Sequence, residues 1–70
     1  MIYIILKYSY SQNNFESYTE IEFVSTDKKE IEKYFDNIQN NTTNNDWSYE
    51  YELFECKEKH KKRLKTKSYG

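Results

Sequence analysis

Three stretches of this chain alternate with a period of two, and one stretch between the second and third has the helical period. Over residues 17–25, Thr19, Ile21 and Phe23 fall on one face and Glu20, Glu22 and Val24 on the other. Over residues 47–56, Trp47, Tyr49, Tyr51 and Leu53 oppose Ser48, Glu50, Glu52 and Phe54. This alternation is what a half-buried strand needs. Residues 2–10 behave differently, because Ile2, Ile4, Leu6, Tyr8 and Tyr10 alternate with Tyr3, Ile5 and Lys7. Apolar residues on both faces predict a central strand.

The helical stretch begins at Asp27-Lys28-Lys29-Glu30, a capping-box pattern in which Asp27 accepts from first-turn amides and Glu30 reaches back. Ile31, Tyr34, Phe35 and Ile38 then recur at the spacing of one helix face. Ser11-Gln12-Asn13-Asn14 predicts a hairpin turn, with Asn supplying the left-handed residue. The tract from Asn37 to Asp46 is polar and predicts a loop; its two overlapping glycosylation sequons, at Asn40 and Asn41, carry no weight without a secretory signal.

A right-handed crossover through the helix brings the third strand back beside the first, opposite the hairpin. The expected fold is α+β: a three-stranded antiparallel or mixed sheet, β-β-α-β in order 2-1-3, with one helix on one face. Ile4, Leu6, Tyr8, Ile21, Phe23, Tyr49, Tyr51 and Leu53 would meet the helix. Residues 1–56 form this domain, and residues 57–70 form a basic tail, a frayed helix or disordered.

The charge is segregated. Residues 1–55 carry four lysines against eleven acids, and residues 56–70 carry six lysines and Arg63 against Glu58 alone. Codon bias toward AT-rich triplets accounts for much of the composition, which holds one Gly, no Pro and no Ala. It does not account for the scarcity of lysine in the first 55 residues. The composition excludes collagen-like, Gly/Pro-linker, disulfide-scaffold and coiled-coil architectures.

The face away from the helix would carry Tyr3, Ile5 and Lys7 in its centre, flanked by Glu20, Glu22 and Val24 on one side and Glu50, Glu52 and Phe54 on the other. An apolar strip rimmed by carboxylates suits a protein partner, and Tyr3, Ile5, Glu20, Glu22, Glu50, Glu52 and Phe54 are the candidate partner-binding residues. The bland counterpart is a solvated sheet face with glutamates for solubility. Acidic strands could also imitate a phosphate backbone and occupy a nucleic-acid-binding protein. Lys57, Lys59, Lys61, Lys62, Arg63, Lys65 and Lys67 are the candidate nucleic-acid contacts of the alternative reading, a nucleic-acid-binding accessory protein. A small dimeric regulator, pairing through an edge strand or the open face, is the third.

Catalysis finds few materials. With one His and one Cys, the pair Cys56 and His60 supplies two ligands, too few to close a zinc site. No nucleophile, base and stabiliser come together, so an enzyme is not expected, nor any metal or cofactor. The opening apolar run ends at Lys7 and is too short for a signal core or a membrane span. A single cysteine suits a reducing cytoplasm.

The string Ile21-Glu22-Phe23-Val24-Ser25-Thr26-Asp27-Lys28-Lys29-Glu30, with Tyr8-Ser9-Tyr10 before it and Tyr49-Glu50-Tyr51-Glu52-Leu53 after it, resembles short uncharacterised β-β-α-β proteins of phages and low-GC bacteria. The resemblance spans roughly residues 2–55. The helix departs from it in lacking small residues on its packed face, and the basic tail has no counterpart. It implies a phage or mobile-element setting, where small acidic proteins inhibit host defence systems, anti-CRISPR proteins among them. The expectation is therefore a non-enzymatic inhibitor of a larger protein in the host cytoplasm, nucleic-acid-binding proteins included.

Overall fold

A computed structural model describes residues 1–39 and 47–69, so the loop and sequons expected over 40–46 lie outside the described residues. Five elements follow in order: β1 (Ile2–Ser11), β2 (Glu16–Ser25), α1 (Lys28–Asp36), β3 (Trp47–Lys57) and β4 (His60–Tyr69). The four strands make one sheet in the order β2-β1-β3-β4, and every neighbouring pair is antiparallel. The α+β class, the single helix and the order 2-1-3 are as expected. The sheet, however, has four strands rather than three.

The fourth strand is the basic tail. As a helix it would stack Lys57, Lys61 and Lys65 along one side, where like charges repel. As a strand it sends Lys61, Lys62 and Arg63 alternately to opposite faces and sets them against β3, with Lys62 opposite Glu55 and Arg63 opposite Phe54. A tight turn at Glu58 and Lys59 makes this hairpin, with Glu58 at φ 53°. The first hairpin likewise takes its left-handed residue at Phe15, φ 53°, and not at either asparagine.

Ile5 pairs with Phe23 on one side and Leu53 on the other, so three apolar residues share one row. With Tyr3 and Tyr51 they meet Ile31 and Phe35 of α1; Ile5, Leu53 and Ile31 are fully buried. The Phe23 and Tyr34 rings stack at 4.2 Å. The helix therefore sits on the Tyr3-Ile5 face of β1, and the expected Ile4-Leu6-Tyr8 face is inverted. Paired residues of an antiparallel sheet share a face, so Ile5 must follow Phe23 and Leu53.

A bulge completes the correction. The β1–β2 register slips between Ile5 and Leu6, with Phe23 opposite Ile5 and Ile21 opposite Leu6. Glu22 is the extra residue, and the slip sends Ile21 to the face opposite Phe23. Capping of α1 is half as expected. Asp27 accepts from the Lys29 and Glu30 amides at 2.9 and 3.3 Å, but the Asp27 amide donates to Ser25 Oγ at 3.0 Å, where Glu30 was expected.

The helix C-terminus is closed by β4. Lys67 Nζ donates to the carbonyls of Phe35, Asp36 and Ile38 at 2.6, 3.1 and 3.4 Å. Tyr69 Oη donates to Ile38 at 2.9 Å, and Lys65 pairs with Asp36 at 3.3 Å. A cation at unsatisfied terminal carbonyls opposes the negative end of the helix dipole.

Candidate interaction face

The other face of the sheet carries no covering element among the described residues. Its rows follow from the register: Val24-Ile4-Phe54, Ile21-Leu6-Glu52 and Thr19-Tyr8-Glu50. Ile21, Val24 and Ile2 are exposed at 64%, 49% and 47%, while Ile4 and Leu6 between them are half-buried. Burying one such side chain fully contributes about 1.5–3 kcal/mol. The β2–β1 half of the face is thus an apolar strip left facing water.

The β3–β4 half is polar and internally satisfied. Phe54 is buried, with Lys61 Nζ 4.4 Å from its ring centroid. Glu52 accepts from Arg63 at 3.0 Å and from the Tyr8 hydroxyl, and its side chain is only 12% exposed. Those bonds, Tyr8 first and then Arg63, hold the Glu52 carboxyl below the ordinary glutamate range against the opposing effect of burial. The same contact, with desolvation, raises Tyr8 above the ordinary tyrosine range.

A carboxyl whose pKa is lower folded than unfolded stabilises the fold fully above its unfolded value, about 4.3. That contribution is lost as pH falls through the lower folded value. Urea midpoints measured at neutral pH and near pH 3 should therefore drop more for the native chain than for Glu52→Gln. Equal drops would mean that Glu52 is not the carboxylate responsible.

The expected partner-binding residues are divided by this geometry. Glu50, Glu52 and Phe54 do lie on the open face. Tyr3 and Ile5 do not; they are 6% and 0% exposed beneath the helix. Glu20 is drawn to the helix side, 3.9 Å from Lys7. Glu22 accepts from Tyr34 of α1 at 3.1 Å. The residues missed were Ile2, Ile4, Leu6 and Ile21, whereas Val24 lies on the open face as expected. No break in the sequence marks the bulge, because residues 19–23 alternate cleanly through Glu22, the extra residue.

The expected nucleic-acid contacts are divided too. Lys61, Arg63, Lys65 and Lys67 engage Phe54, Glu52, Asp36 and the helix carbonyls respectively. Lys57, Lys59 and Lys62 are exposed around the β3–β4 turn. Cys56 is half-buried, and His60 stands across the hairpin opposite Lys57, so these two share no helix face.

Among the described residues, no group of three or more His, Cys, Asp or Glu side chains could hold a metal ion, and no helix is long and apolar enough to cross a membrane. Comparison of the chain with protein-family models, with curated proteins and with solved structures finds no match.

Proposed function

We propose that this chain is a small, non-enzymatic interaction protein that acts by binding another protein through the uncovered face of its sheet. The observation that carries the reading is the exposure of Ile2, Ile21 and Val24 around half-buried Ile4 and Leu6. Contiguous exposed apolar side chains mark protein contacts more often than isolated ones do. The candidate residues accordingly move from an acidic rim to an aliphatic centre, with Glu50 at its margin. The complementary surface is an apolar patch bearing a cation to meet Glu50. The setting comes from the resemblance alone: a phage-type protein, in the host cytoplasm, inhibiting a larger host protein, a defence protein included, by occupying it.

The test uses Ile2→Glu with Val24→Glu, both at exposed positions that the core does not need. The native chain on a column should retain one host protein in near-equimolar amount, and the variant should release it. Identical retention by native chain and variant would overturn the reading. Retention of nucleic acid alone, falling steeply with salt, would favour the alternative carried by Lys57, Lys59 and Lys62 at the hairpin turn.

A further inference from the structure

We propose that copies of this chain associate head to tail, the acidic edge β2 of one copy pairing with the basic edge β4 of the next. The partner is a second copy, and the surfaces are the two outer edges of the sheet, not the apolar face.

The charges of the edges point to this arrangement. β2 carries Glu16, Glu20 and Glu22 and no cation, while β4 carries Lys61, Lys62, Arg63, Lys65 and Lys67 and no acid. Both strands are ten residues long, and each has a neighbour on one side only among the described residues. Pairing β2 with β2 sets carboxylates against carboxylates, and pairing β4 with β4 sets lysines against lysines. Like charges directly across two strands destabilise the pair, and opposite charges stabilise it. Only the unlike combination is favourable.

Strand direction agrees with charge. Because β2, β1, β3 and β4 alternate in direction across the sheet, β4 runs antiparallel to β2. A copy carried sideways without being turned over therefore lays its β2 antiparallel to β4. The sheet continues with the same alternation, and both helices stay on one face. Four strands span about 19 Å at the usual spacing, and a helix with its side chains needs about 10–12 Å, so neighbouring helices do not collide.

The register supplies the contact. One row runs Glu20-Lys7-Tyr51-Lys67, and the next runs Tyr18-Ser9-Tyr49-Tyr69. Continued straight across, these rows set Glu20 of the next copy beside Lys67, and Tyr18 beside Tyr69. The bulges lie between Ile5 and Leu6 on one side and between Leu53 and Phe54 on the other. They leave 16–21 of β2 and 65–69 of β4 regular, at the same end of the sheet. The bulged halves twist away, which confines pairing to that end. A contact between unlike edges leaves one edge of each kind unpaired, so assembly continues to a ring or a filament and does not stop at a dimer.

Sedimentation of the full chain at about 0.01 M and about 1 M salt, where charges are screened over about 30 and 3 Å, is the test. At low salt the weight-average mass should at least double as concentration rises, with species beyond dimer, and at high salt it should fall to that of the monomer. Glu16→Lys with Glu20→Lys should be monomeric at both salts, as should Lys65→Glu with Ser68→Glu, each checked for folding by circular dichroism. Mixing the two variants brings the unaltered β4 of the first against the unaltered β2 of the second and should restore association, stopping at a 1:1 dimer because the other two edges carry the substitutions. The face variant Ile2→Glu with Val24→Glu should associate like the native chain, which separates this proposal from the protein-binding reading. A native chain that is monomeric at low salt, or a discrete dimer surviving in both edge variants, would overturn it.

Discussion

Truncation after Lys57 should leave a chain that does not fold. β4 contributes the pairing partners of β3 from Tyr49 to Lys57, and Leu64 and Tyr69 pack on the core cluster. Without it, buried Tyr51 loses the Tyr69 ring, 6.1 Å away and nearly perpendicular. The helix also loses Lys67 and Tyr69 from its last carbonyls. A chain of this size has a total stability of about 4–10 kcal/mol. Removing one strand of four, with its apolar contacts and a helix cap, takes away a comparable amount. Circular dichroism and amide dispersion would report the result, and a truncated chain with a native spectrum would mean that the basic segment is an accessory. The single substitution Lys67→Met keeps the aliphatic stem and removes the charged hydrogen bonds. Its expected cost is about 1.5–3 kcal/mol, the usual value for bonds to a charged group.

Ile5→Ala and Ile4→Ala, one residue apart, should differ several-fold in their effect. Ile5 is fully buried between Phe23 and Leu53 under Ile31 and Phe35. Truncating it should cost about 2–5 kcal/mol, through lost transfer energy and the cavity left behind. In a domain of this size each kcal/mol lowers Tm by about 4–8 °C, so a fall of about 10 °C or more is expected. Ile4 lies on the open face and is half-buried, so its truncation should cost about 1 kcal/mol. Thermal unfolding of the two variants measures the contrast. The reverse order would restore the face assignment read from the alternation of β1.

These expectations separate local from long-range information. Asp27 announces the helix because a carboxylate at that position can only serve the next amides, and Ile31 with Phe35 sets its inner face. The strands at 2–11, 16–25 and 47–57 were legible because successive side chains of an extended chain point to opposite sides. The candidate site was legible where β3 alternates without a competing pattern, at Glu50, Glu52 and Phe54, and at Val24 on the far side of the bulge. On β2 the Glu22 bulge reversed the pattern, and Ile21 moved to the open face.

Alternation and capping thus establish which segments are strand and which is helix, since both depend on neighbours a few residues away. Which face of β1 turns inward depends on pairings with residues 18 and 48 positions distant, Phe23 and Leu53, because β1 is apolar on both faces. The state of the basic segment is decided in the same way. Its composition favours a helix, but the β3 edge, the Glu52 carboxylate and the carbonyls of α1 draw it into a strand. Those partners exist only once the rest of the sheet has formed.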